Sequence, residues 1–248
     1  MELYQPILEH LDALIQAHPE RREFPYSENK CWKETQRFEL VMARDTAYEL
    51  GGSGKGAANF TCVTTETKQE LSSRTIVIGK DLNELKEDTP YARIVMLNAD
   101  TKMFEGMEEK QGSERAFRTL QKLDFIKYHV FAQGYMIRTS GENYREQVRL
   151  HKDAIREGIT FEQIGNTFLK HYLEVDGIRS ATILFATDPS LDYEAFAQDA
   201  KKVHEITMTL SKILEGMPTD CSLCSLKPIC DEVEGMKELH FGKERTMR

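Results

Sequence analysis

Cys221-Ser-Leu-Cys224-Ser-Leu-Lys-Pro-Ile-Cys230 places three of the chain's five cysteines within ten positions, and His240 follows ten residues later. A C-x-x-C turn brings two sulfurs to one side of a tight loop, so these thiolates can converge on one soft metal centre. A closed tetrahedral or iron–sulfur site needs a fourth ligand. No fourth cysteine lies nearby, and His240 does. The bland reading is a turn stiffened by Pro228 that carries incidental thiols. Crowding three of five cysteines into so short a stretch makes that the minority reading. Zinc and an iron–sulfur cluster both accept thiolates, and a cluster also takes histidine, which raises its reduction potential. Spacing alone does not separate the two metals.

Other stretches that invite chemistry fare worse. Gly51-Gly-Ser-Gly-Lys-Gly56 suggests a phosphate loop, but Gly56 follows Lys55 where Ser or Thr is required, and Glu49 stands at the first glycine position. The stretch is expected to be a turn. Its remaining functional reading is a contact from Lys55 to a nucleotide or CoA phosphate. His129, His151 and His171 are scattered and are given no catalytic role. Cys31 and Cys62 are isolated, and Cys62 reads as a small buried apolar residue. The carboxylates are too dispersed to pair as acid and base, so the catalytic residues are unknown at this stage.

These residues sit on a chain of 248 residues, 40% of them apolar, which is enough for a sizeable core. The net charge of −8 argues against nucleic acid as a partner, because neutralising phosphates needs a basic face. No apolar run reaches the roughly 20 residues that span a bilayer, so no membrane partner is expected. The start, Met1-Glu-Leu-Tyr-Gln5, lacks the basic and apolar regions of a signal peptide. The expected location is the cytoplasm, where clustered thiols favour metal or redox chemistry over disulfides.

Helical spacing of Ile7, Leu8, Leu11, Leu14 and Ile15 predicts a helix from Pro6 to His18, broken by a polar stretch from Pro19 to Lys30. Strands are expected at Phe38 to Ala43, Phe60 to Thr65, Thr75 to Ile78, Ala92 to Leu97, Gln147 to Leu150 and Ile178 to Ala186. Helices are expected from Glu114 to about Gln133, from Phe161 to Glu174 behind a Thr160 cap, and from Tyr193 to Glu215 behind an Asp192 cap. Strands come first as a group, then helices, then one more strand and helix. That order predicts an α+β fold, a mixed β-sheet packed with helices, plus a short C-terminal cysteine-bearing module. No internal repeat or low-complexity segment interrupts it. The expected organisation is an N-terminal helix and linker over 1–44, a middle domain over 45–218 and a metal-binding module over 219–248.

Four stretches then carry a family resemblance: Asp45-Thr-Ala-Tyr-Glu-Leu-Gly-Gly52, Thr75-Ile-Val-Ile-Gly-Lys-Asp81, Val148-Arg-Leu-His-Lys-Asp-Ala154 with Gly158, and Ala181-Thr-Ile-Leu-Phe-Ala-Thr-Asp188. In order and spacing, ending on Cys221-Ser-Leu-Cys224, they resemble the β subunit of the carbon monoxide dehydrogenase/acetyl-CoA synthase complex. In that family the cysteines begin a [4Fe–4S] cubane bridged to two nickels. The family pattern is C-x2-C-x8-C-x9-C, whereas here it reads C-x2-C-x5-C-x9-His, with His240 at the fourth position. The resemblance therefore implies metal ligands Cys221, Cys224, Cys230 and His240. It favours an iron–sulfur cluster, [4Fe–4S] first, with zinc as the alternative.

The family's nickel-holding C-G-C tripeptide has no counterpart before Arg248. Nickel is not expected, and neither is autonomous acetyl-CoA synthase activity. The resemblance implies an acetyl-CoA-synthase-like protein of anaerobic one-carbon metabolism. The partners it implies are a corrinoid iron–sulfur protein or a carbon monoxide dehydrogenase subunit. The family's middle domain is associated with CoA through arginines and a tryptophan, but the only tryptophan here, Trp32, lies outside the matching stretches. The alternative is a non-catalytic binding module for the same partners, with structural zinc or no metal.

Overall fold

Long β-branched runs pair into a five-stranded mixed sheet. In the computed structural model, which describes residues 4–52, 54–65, 72–103, 110–139 and 145–215, its order is β1-β4-β8-β5-β3. The strands are β1 (Arg22–Pro25), β3 (Ala57–Thr64), β4 (Arg74–Ile78), β5 (Tyr91–Ala99) and β8 (Ile178–Ala186). The β3–β5 and β4–β8 pairs are parallel, whereas β1–β4 and β5–β8 are antiparallel. A smaller antiparallel sheet has the order β2-β7-β6, from β2 (Thr46–Leu50), β6 (Tyr135–Thr139) and β7 (Glu146–His151). The expected α+β class with a mixed sheet is what forms. The cysteine-bearing module at 219–248 lies outside the described residues.

Every residue of β5 is buried, because helices and the small sheet cover both faces of the large sheet. Residues alternate across it. Asn59, Tyr91, Arg93, Val95, Ile183, Phe185 and Thr75 share one face by register. Helix α4 (Phe161–Leu173) lies on that face, with the Phe161 and Phe185 rings stacked at 4.5 Å. It sits so close that a Cβ on Gly165 would stand 2.0 Å from Thr75 Oγ1. Helix α2 (Lys110–His129) packs beside α4. The other face carries Phe60, Cys62, Ile76, Ile94 and Leu184, toward α1 (Gln5–Ala17) and α5 (Tyr193–Glu215). His10 Nδ1 and Asp199 Oδ2, 2.6 Å apart, join those two helices.

The predicted caps are present. Thr160 Oγ1 accepts from Gln163 N–H while Gln163 Oε1 accepts from Thr160 N–H, a reciprocal box of a kind that contributes about 1 kcal/mol. Asp192 Oδ1 accepts from Glu194 and Ala195 N–H at 3.1 and 3.0 Å.

Three local readings change. Residues 22–25, read as a polar break, form an edge strand on β4 that ends at Pro25, which an edge tolerates. The strand expected at residues 38–43 does not form. Val41 is buried while Phe38, Leu40 and Met42 are 51%, 64% and 48% exposed, so the alternation is real. However, the Val41 N–H donates to Met136 Sδ at 3.1 Å instead of to a ladder carbonyl. The helix read as far as Gln133 stops at His129, and β6 begins at Tyr135 after a turn at Gly134, whose φ is 71°.

Candidate functional site

Cys221, Cys224, Cys230 and His240 lie outside the described residues. Among the described residues, no group of three or more His, Cys, Asp or Glu side chains is arranged to hold a metal ion. Cys62 is fully buried, and burial, with the Asp199 charge adding to it, pushes its thiol far above the ordinary range. Cys31 is half-buried, and its pKa is raised by burial first. Burial therefore holds the Cys62 thiol protonated. The scattered histidines have local work. His151 caps α3 (Lys152–Arg156) by accepting from Asp153 N–H at 3.0 Å, His171 pairs with Glu34 at 2.7 Å, and His129 lies 2.8 Å from the Phe125 carbonyl.

The four stretches that carry the resemblance come together in two pairs. Asp45–Gly52 supplies β2, which pairs with β7 in the Val148–Ala154 stretch, Glu49 opposite Arg149. The two side chains form an ion pair. Thr75–Asp81 supplies β4, which runs parallel to β8 in the Ala181–Asp188 stretch, Thr75 beside Ile183 and Ile78 beside Ala186. Thr89 joins the pairs. Its N–H donates to the Glu49 carbonyl at 3.2 Å, its carbonyl accepts from Gly51 N–H at 2.8 Å, and its hydroxyl donates to the Thr187 carbonyl at 3.4 Å.

Two glycines at this junction are filled in by the fold. A Cβ on Gly56 would meet Tyr193 Cβ at 2.4 Å, and one on Gly51 would meet the Glu146 carbonyl at 2.7 Å. Gly51 and Gly56 are thus packed in, whereas Gly54 and Lys55 are exposed, and Lys55 N–H donates to the Gly52 carbonyl at 2.9 Å. Asp81, the last residue of its stretch, is a structural carboxylate. Its Oδ1 accepts from Leu82 N–H at 2.7 Å and from Phe161 N–H at 2.6 Å, in the first turn of α4. Burial nonetheless raises its pKa against those two bonds.

The strongest electrostatic feature was not found from sequence. Arg93 on β5 and Glu146 on β7 are 0% and 1% exposed and bind fork to fork, Nε to Oε1 at 2.9 Å and Nη2 to Oε2 at 2.6 Å. Asn59 Nδ2 and the Tyr91 hydroxyl also donate to Glu146, and the Tyr91 and Tyr135 hydroxyls are 2.6 Å apart. The Phe168 ring lies 4.2 Å from the guanidinium carbon. Burial acts to lower the Arg93 pKa, but the Glu146 carboxylate overrides it and holds the guanidinium above its ordinary value. Arg93 Nη1 and Asn59 Oδ1 are buried with no hydrogen-bond partner among the described residues. The Arg93–Glu146 pair fastens the small sheet to the large one. The available signal was a lone arginine inside the apolar run Ala92-Arg-Ile-Val-Met-Leu97.

No helix of the described residues is long and apolar enough to cross a membrane. No protein-family model matches the chain, and no curated protein does either.

Proposed function

We propose that this chain is an acetyl-CoA-synthase-like iron–sulfur protein of anaerobic one-carbon metabolism, with Cys221, Cys224, Cys230 and His240 as cluster ligands. The observation that carries this reading is the donor set. Three thiolates and an imidazole within twenty positions suit a soft metal centre, and the other two cysteines are held elsewhere as buried or half-buried thiols. The convergence of the four resemblance stretches around Thr89 supports it, because segments up to about 140 residues apart make one unit. The cluster would supply one-electron redox chemistry, with the histidine raising its potential.

The test is iron and acid-labile sulfide analysis with EPR on anaerobically purified protein. About four irons per chain are expected for a cubane, and Cys221→Ser with Cys224→Ser should abolish them. Colourless protein without iron would sink the proposal.

A second reading is a binding module for a corrinoid protein or a dehydrogenase subunit, with zinc or no metal at the cysteines. The exposed apolar side chains of Phe38, Leu40 and Met42 favour it, since they form an alternating row facing solvent. Stoichiometric zinc in place of iron, with partner capture unchanged by the two serine substitutions, would select this reading.

A further inference from the structure

A cavity of about 230 Å³ opens between the end of α2, the turn into β6 and the extended segment at residues 35–39. It is below the roughly 300–1,000 Å³ of pockets that hold drug-sized ligands. Its walls are unusual in composition. Four of the ten lining residues are aromatic (Phe38, Tyr128, Phe131 and Tyr135), and the only ionisable acid among them is Glu39. Among the described residues, no Lys, Arg or His lines it. Phe38 and Phe131 meet edge to face at 85° with centroids 6.5 Å apart. Val130, Ala132, Met136 and Ile137 supply most of the remaining surface.

Glu39 is fixed in this wall. Its Oε2 accepts from Gly134 N–H at 2.8 Å, and its Oε1 takes no hydrogen bond from a described residue. Lys127 Nζ stands 5.1 Å over the Tyr128 ring centroid without lining the cavity, and the Arg93 guanidinium, whose charge reaches Tyr128 and Tyr135, is paired with Glu146.

Aromatic faces attract cations, most strongly those that shed water cheaply, and a nearby carboxylate adds net attraction. A primary ammonium would lose strong hydration in this apolar space with too few acceptors to replace it. A methylated ammonium has no such donors to satisfy. We propose that this cavity binds a small soluble quaternary ammonium compound, a trimethylammonium head seated among Phe38, Tyr128, Phe131 and Tyr135 with Glu39 as counter-charge. The site shares no residue with the cysteine cluster, so iron-free protein binds equally well.

The experiment is calorimetric titration of the full chain with choline chloride at constant ionic strength. The control is its uncharged carbon isostere, 3,3-dimethylbutan-1-ol. Choline is expected to bind with a millimolar or tighter constant and at least about tenfold better than the isostere. Glu39→Gln keeps an acceptor for Gly134 N–H. It should weaken choline about tenfold while leaving the isostere unchanged, which also reports that the cavity is intact. Trp32 gives a second readout, because its Nε1 donates to the Gln133 carbonyl at 2.8 Å beside the Ala132 wall, and it is the chain's only tryptophan. Its emission should shift with choline at the calorimetric midpoint. Equal binding of choline and isostere, or no choline binding at about 50 mM, overturns the proposal, since either removes any preference for charge.

Discussion

Glu146→Ala is expected to destabilise the protein by about 3–5 kcal/mol, because it leaves the Arg93 guanidinium buried without its counter-charge. Two further effects push the same way. Asn59 Nδ2 and the Tyr91 hydroxyl lose their acceptor, and Arg93 Nη1 is already without a partner. Phe168 over the guanidinium offers only a cation–π contact, worth about 2 kcal/mol when desolvated. Urea unfolding followed by circular dichroism measures the loss. Replacing both partners with apolar residues, as in Arg93→Met with Glu146→Leu, should recover most of it, since the cost belongs to the unpaired charge. A single-variant loss below about 1 kcal/mol would show that water reaches the pair.

Gly79→Ala should cost about 2–5 kcal/mol, combining backbone strain with overpacking. Gly79 has a φ of +104°, and a Cβ there would stand 2.5 Å from Asp188 N and 2.9 Å from the Thr187 carbonyl carbon. Those two contacts are backbone, and a third, Thr187 Oγ1 at 2.7 Å, is held by its hydrogen bond to the Lys80 carbonyl. The shift would fall on the β4–β8 junction, where Thr187 N–H donates to the Ile78 carbonyl at 2.9 Å and the Thr187 hydroxyl to the Lys80 carbonyl at 2.7 Å. Gly54→Ala is the matched control. Gly54 has a φ of +76° with nothing within 4 Å, so it should lose only about 1 kcal/mol of strain. Equal losses in the two variants would mean that the junction yields without resistance.

Elements with strong local signals were legible in the sequence. Ile178–Ala186 alternates and is β-branched, Thr160 and Asp192 are caps, and each forms as the pattern requires. Short edge strands were not. Arg22–Pro25 has four residues and finds its ladder on β4, about fifty residues later, so local pattern carries almost none of its stabilisation. Phe38–Ala43 is apolar enough for a strand and alternates in exposure, but neither property reveals whether a ladder partner is within reach. The partnership of Arg93 with Glu146 spans 53 positions and exists only because the small sheet folds against the large one. The metal ligands are the reverse case: their pattern is strong in the sequence, and they lie outside the described residues.

The position of β8 sets a schedule for making the protein. It is the last strand among the described residues and the middle strand of the sheet, between β4 and β5. Before it arrives, β1–β4 and β3–β5 are separate halves with no shared partner, and β5 has a free apolar edge. Ile178 lies 79 positions after Ala99, which at ordinary synthesis rates is roughly 4–16 s of waiting. Throughout that interval an unpaired edge of the most buried strand stands open to neighbouring chains, the arrangement that invites aggregation. The nascent chain therefore depends on being shielded until one late segment has been delivered, and its yield in a cell is tied to translation speed and chaperone supply as much as to final stability.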